Sequence, residues 1–237
     1  TMPDRRAIVN PVKGKKPPDT GPLAIMAATE SDLRLLSRLA DTPVVAQRKL
    51  YMSSLQVHAD DQRRFTLAGP MVGAPYAAMI VEALGVWGVD SILFVGWCGA
   101  VSRHVKAGDI IVPDSAIVDE GTSGHYCATP CRVALPDRPL VHQVGSALQH
   151  QGARFHDGAV WTTDAIYRET VEKVKHYQSK GALAVEMELS AIFTVAGFRE
   201  IAAAGILVVS DELSDYQWRP GFNAPAFKIA RQTACQA

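Results

Sequence analysis

Apolar residues fall along this chain in short runs that alternate with longer periodic stretches. Leu23-Ala24-Ile25-Met26 is a compact apolar run and predicts a strand. From Ser31 to Leu39 the apolar positions Leu33, Leu35, Leu36 and Leu39 follow a helical period, with Ser31 as the expected N-cap. Phe65–Ala68 predicts a second strand and Ala77–Leu84 a helix. Ser91–Val95 reads as a buried strand ending at Gly96. Asp109–Val112 and Ser115–Val118 read as two strands on either side of Pro113. Further on come an amphipathic helix over Arg138–Gln151, a strand over Ala159–Thr162 and a helix over Ser190–Ala204. Ile206–Val209 is a strand with no polar residue. Strands alternating with helices predict an α/β fold, three-layer αβα, with a central mixed β-sheet and helices on both faces. Residues 1–22, rich in proline and basic side chains, read as an extended N-terminal arm. Residues 23–237 read as a single α/β domain.

Charge narrows the choice of partner. Lys plus Arg and Asp plus Glu each total 24, so the net charge is zero. Such a balance gives no electrostatic footprint for nucleic acid or an anionic membrane, and a small molecule fits better. The four cysteines, Cys98, Cys127, Cys131 and Cys235, make no disulfide framework in a chain of 237 residues. Cys127 and Cys131 have a spacing that a metal could use, but no second pair accompanies them, and they read as ordinary thiols. No metal or organic cofactor is expected. The N-terminus shows no secretory pattern. The most apolar region, residues 65–89, contains Pro70, Pro75 and Glu82 and is no membrane span. A soluble cytoplasmic protein is the expectation.

In open α/β sheets, ligands sit beyond the carboxyl ends of the strands, so the residues there are the candidates. Gly96-Trp97-Cys98-Gly99 follows one strand, and its glycines would let backbone amides approach a ligand. A turn bearing Gly73 precedes a helix whose N-terminus could hold a ligand. Ser210-Asp211 follows the most apolar strand, where the acid could serve a cleft or cap a helix. In Ala184-Val185-Glu186-Met187-Glu188-Leu189-Ser190-Ala191 two acids stand among apolar neighbours. In extended chain Glu186 and Glu188 would point the same way. A secluded carboxylate needs donors, and vicinal sugar hydroxyls can supply two.

Six segments, in order, carry a resemblance. They are Gly96-Trp97-Cys98-Gly99-Ala100-Val101, Ala107-Gly108-Asp109-Ile110-Ile111-Val112, and Asp119-Glu120-Gly121-Thr122-Ser123-Gly124-His125-Tyr126. The others are Thr162-Thr163-Asp164-Ala165-Ile166-Tyr167, Val185-Glu186-Met187-Glu188 and Val209-Ser210-Asp211. Over residues 23–215 the chain resembles the nucleoside phosphorylase and nucleosidase superfamily. The resemblance implies that Glu188 grips the ribose hydroxyls, Met187 packs on the sugar and Glu186 lies near the base. It places Ile166 and Tyr167 at the base-stacking segment and Asp211, beside Ser210, as the acid that protonates a purine leaving group. It also implies a homo-oligomer with shared active sites, in which Arg48 reaches a neighbouring subunit's phosphate, with His125 a second candidate there.

The chain also departs from that pattern. The family's arginine ahead of the strand-end glycine is Phe94 here, and the small hydroxyl residue after it is Trp97. The family's early arginine loop is Ala28-Thr29-Glu30-Ser31-Asp32. Arg34 and Arg168 are possible substitutes. The resemblance therefore implies phosphorolysis of a nucleoside to free base and ribose 1-phosphate, with phosphate as co-substrate. The alternative is hydrolysis with Asp32 handling water. A nucleoside-binding protein without turnover is a third reading.

Overall fold

The structure is a computed structural model, and it describes residues 7–237. Of the arm expected over residues 1–22, residues 1–6 lie outside the described residues, and 7–22 form no helix or strand. In chain order the elements are β1 (Leu23–Ala27), α1 (Glu30–Leu39), β2 (Val44–Leu50), β3 (Ser53–Ala59), β4 (Arg64–Gly69) and α2 (Ala74–Val86). Then come β5 (Ser91–Ala100), β6 (Ile110–Asp119), α3 (Ser123–Tyr126), β7 (Val133–Ala134), α4 (Arg138–His150) and β8 (His156–Thr163). After a short 3-10 turn at Ile166–Arg168 follow α5 (Val171–Ser179), β9 (Ala184–Glu186), α6 (Leu189–Phe198), β10 (Ala202–Glu212), β11 (Arg219–Pro220) and α7 (Pro225–Gln236).

The strands form one mixed sheet in the order β11-β10-β6-β8-β9-β5-β1-β4-β3-β2, with β7 on the flank of β6. β1, β4, β5 and β10 run parallel, as in Ile25↔Leu67, Ile25↔Leu93 and Ala204↔Leu93. β5 also pairs with β10 and, at its far end, with β9, so β5, β10, β6, β8 and β9 close into a ring. Apolar side chains pack on both faces. Met26, Phe94, Ile192 and Leu207 share a core with α2 and α6. Ile110, Val208, Leu148 and Phe227 share the other core with α4 and α7. The expected three-layer α/β architecture with a mixed central sheet is present.

Several boundaries differ from expectation, each for a local reason. The cap of α1 is Thr29, not Ser31: Thr29 Oγ1 accepts from the Asp32 N–H at 3.1 Å. β5 runs on through Gly96-Trp97-Cys98-Gly99, so these residues are strand and not a turn. Pro113 does not split two strands but sits at a bulge within β6. α6 stops at Phe198 because Glu200 takes a left-handed φ of 58° and β10 begins at Ala202. The apolar run 201–204 fits helix and strand equally well by composition. The β2–β3 hairpin carries no clear signal on its β2 side, where six of seven residues are exposed.

Candidate active site

Glu186 ends β9, Glu188 and Gly73 precede α6 and α2, and Ser210 and Asp211 lie near the end of β10. β9 delivers Glu186 and Glu188 to the start of α6. Glu186 is buried, and its Oε2 accepts from the backbone N–H groups of Glu188 and Leu189, each at 2.7 Å. Its Oε1 accepts from the Thr162 hydroxyl. Both oxygens thus serve the helix start and β8. This answers the N-terminal donors that a helix leaves unpaired, and it leaves the expected role beside a base without support in the side chain's contacts. Met187, half-buried, occupies the turn between β9 and α6.

Glu188 turns the other way. Its Oε1 accepts from the Gly73 N–H at 2.6 Å. Gly73 caps α2 with φ 85° and ψ 150°, a backbone region that residues with a Cβ avoid. The glycine thus aims its N–H at a carboxyl 115 residues away. Burial pushes the Glu188 carboxyl above the usual carboxylate range, and the neighbouring Glu186 charge adds to this. Burial raises Glu186 as well.

On the other flank, Asp211 lies opposite Gly99 in the β5–β10 register. A side chain at Gly99 would meet Leu213 Cδ1 at 2.5 Å and Asp211 Oδ2 at 3.1 Å, so glycine is needed here for close approach. Ser210 Oγ donates to Asp211 Oδ1 at 2.6 Å and lies 3.2 Å from the Cys98 carbonyl oxygen. Trp218 Nε1 donates to Asp211 Oδ2 at 2.9 Å. Burial raises the Asp211 carboxyl above its ordinary value, against the pull of these two donors. Glu169, just past the 3-10 turn, is raised to about 7 by burial, with the Asp211 charge adding and Lys173 opposing. The Cys98 thiol is buried and pushed well above its ordinary value, which suits packing and not nucleophilic attack.

Other expected residues stand apart. Asp32 is buried at the start of α1, and both its oxygens are bonded: Oδ1 to Arg231, Oδ2 to Trp97 and Thr29. Each of its oxygens thus accepts from two donors of the same chain. Gly96 forms no turn around an acceptor. Ile166 and Tyr167 are exposed, Tyr167 at 96%, and do not reach the buried acids within one chain. Arg48 lies on exposed β2, where its Nη1 donates to the Lys16 carbonyl at 3.3 Å. Arg34 is spent on a surface pair with Glu30, and Arg168 is exposed. All four cysteines are free thiols.

Glu169 and Arg231 were not found from the sequence, and Trp218, in a segment 218–222 that could cover the site, read as packing. Trp218 and Arg231 lie in the segment after Asp215, whose function the motifs did not reveal. Phe227, Ala230 and Ala234 do mark a buried face of α7 there, but alanines carry a faint apolar signal.

Comparison with known proteins fits this geometry. Residues 22–236 match the family model of the phosphorylase superfamily. A guanosine phosphorylase of Halorubrum lacusprofundi is 31% identical over 181 residues, covering 76% of this chain and 73% of that one. A DeoD-type purine nucleoside phosphorylase of Bacillus cytotoxicus is 30% identical over 152 residues, covering 64% and 65%. Among solved structures, uridine phosphorylase from Vibrio fischeri ES114 superposes with a TM-score of 0.77 at 24% identity, over 92% of this chain and 91% of that one. AMP nucleosidase from Bacteroides thetaiotaomicron superposes with a TM-score of 0.73 at 22% identity, over 92% and 88%. At such identities the two structures speak for the fold alone. From the family match and the guanosine phosphorylase relative together, the chain belongs to the phosphorylase superfamily.

Proposed function

We propose that this protein cleaves the N-glycosidic bond of a nucleoside with a purine as the leaving base. The observation that carries the reading is Asp211: a carboxyl at the end of β10, held by Ser210 and Trp218 and raised by burial above its ordinary value. A purine leaves readily when an acid neutralises the charge growing on its ring. Glu188 precedes α6, and with Oε1 taken by the Gly73 N–H it keeps lone pairs for vicinal ribose hydroxyls. As the C1′–N bond lengthens, the ribose gains oxocarbenium character and the base takes the proton from Asp211. The names of the phosphorylase relatives support phosphate as the acceptor, and the nucleosidase neighbour keeps water open.

Replacing Asp211 with Ala tests the reading. Purine nucleoside cleavage should fall about 10²- to 10⁴-fold, the range for a lost general acid, while nucleoside binding by calorimetry persists. Wild-type turnover in the variant removes Asp211 from the chemistry.

We also propose a homo-oligomer. The exposed edge strand β2 and the exposed apolar side chains Val44, Val45, Tyr51, Met52 and Val72 support it. A monomer by light scattering at assay concentration would contradict it. A cytoplasmic location is proposed from the four free thiols, which reducing compartments preserve.

A further inference from the structure

Two of the four free thiols stand side by side on one loop. Cys127 and Cys131 flank the exposed residues Ala128-Thr129-Pro130, between α3 and β7. The two thiols are in hydrogen-bond contact, and both are partly exposed. The chain is pinned on either side of them. Cys127 N–H donates to the Ser123 carbonyl at 3.3 Å, and Val118 N–H donates to the Arg132 carbonyl at 3.0 Å. The Cys131 thiol donates to the Val133 carbonyl at 3.6 Å. Val133 and Ala134 then pair with Ile117 and Ala116. Among the described residues no third His, Cys, Asp or Glu joins the two thiols to complete a metal set.

The other two cysteines are placed differently. Cys98 is buried in β5, and Cys235 packs against the core beside α1. Burial raises both thiols, Cys235 to about 12, and a thiol held protonated in the interior is inert. A small oxidant therefore meets Cys127 and Cys131 first. Desolvation pushes Cys127 up to about 11, with the neighbouring Cys131 thiol adding to it. Cys127 is thus slow to ionise, and the opening attack falls to Cys131.

We infer that Cys127 and Cys131 are an oxidation site, a dithiol that a small-molecule disulfide converts reversibly into an intrachain disulfide. The Cys131 thiolate bonds to one sulfur of the small disulfide, whose S–S bond breaks and releases a small thiolate. The Cys127 thiolate then bonds to the Cys131 sulfur, and the mixed S–S bond breaks and releases the second small thiolate. The two cysteine protons pass through water to the two thiolates released. Two cysteines thus lose two electrons, and one small disulfide is reduced to two thiols. Closure asks little of the backbone, because the sulfurs are already in contact and the residues between them belong to no helix or strand. The cross-link fixes the loop that follows α3. That helix is tied to the start of α6 through Glu120, which accepts from the Ser123 N–H at 3.1 Å and from Ser190 Oγ at 3.0 Å. The site stands apart from the proposed nucleoside reaction and does not depend on it.

Two readouts test this. In the first, the full chain, folded and reduced, is incubated with glutathione disulfide, alkylated and digested with trypsin. Residues 107–132 form one tryptic peptide that carries these two cysteines and no others. That peptide should be lighter by two hydrogen atoms, should refuse the alkylating reagent and should regain both thiols in dithiothreitol. The oxidised protein should also melt at a higher temperature than the reduced one, because the cross-link restricts the unfolded chain. In Cys127→Ser the glutathione should instead persist on Cys131. Thiols that stay open to alkylation, glutathione that persists on either cysteine of the wild type, or a cross-link between two copies overturns the inference. So does a disulfide that lowers the melting temperature, since the fold would then be strained by it. The second readout needs no oxidation and no variant. Phenylarsine oxide bonds two neighbouring thiols through one arsenic, with loss of water, and the folded wild type should retain it on the 107–132 peptide. A folded wild type that retains no arsenical there overturns the contact itself.

Discussion

Burial raises the carboxyls of Asp211 and Glu169 above their ordinary values. Asp211 and Glu169 are close enough for the charge of one to raise the other, and Glu169 stands at about 7. Glu169 is thus a second carboxyl beside Asp211 whose proton leaves near neutrality. If a protonated Asp211 drives base departure, the pH profile of kcat should fall on its alkaline side as that proton is lost. In Glu169→Gln the like charge near Asp211 is gone, so the falling limb should move to lower pH. A limb that stays in place would separate Glu169 from the chemistry. Glu188 and Asp211 were legible in the sequence because each lies inside a short motif with an apolar strand beside it. Trp218 and Arg231 were not, since nothing local says that an indole seven residues on, or a guanidinium 199 residues away, will bond an acid.

At the scale of elements, the site depends on where strands stop and helices begin. α6 starts at Leu189 because Glu186 takes up its first N–H groups, and this frees Glu188 to turn toward α2. α2 meets it through Gly73, whose φ of 85° a Cβ would strain by about 1–3 kcal/mol. Gly73→Ala should thus lower stability by about that amount, read by urea unfolding, and should raise the KM for a nucleoside as the N–H swings off Glu188. An unchanged KM in a folded variant would detach this contact from the sugar site. The strands and helices around these joints were legible from apolar periodicity. The continuation of β5 through Gly96–Gly99 was not, because two glycines in five residues read as a turn. Only pairing with β10 and β9 on either side keeps that segment extended.

At the scale of the whole molecule, the C-terminal helix α7 ties the end of the chain to α1. It packs Phe227, Ala230 and Ala234 under the sheet and sends Arg231 across to Asp32, so the last turns of the chain reach the first helix. Breaking one partner of a buried ion pair strands the other. Arg231→Met should therefore cost about 3–5 kcal/mol in urea unfolding, and a loss under about 0.5 kcal/mol, the scale of a surface substitution, would show the pair to be peripheral. Layers, mixed sheet and family were readable from order alone: six short segments in sequence, spread over most of the chain. The contact that joins α1, β5 and α7 at Asp32 was not, since its partners lie far apart in the chain. The products that the purified protein releases from inosine, guanosine, adenosine and uridine decide whether it is a purine nucleoside-cleaving enzyme. Free purine from one or more of the first three and no uracil is expected. Uracil released without any purine, or no base from any nucleoside while binding is retained, would contradict it.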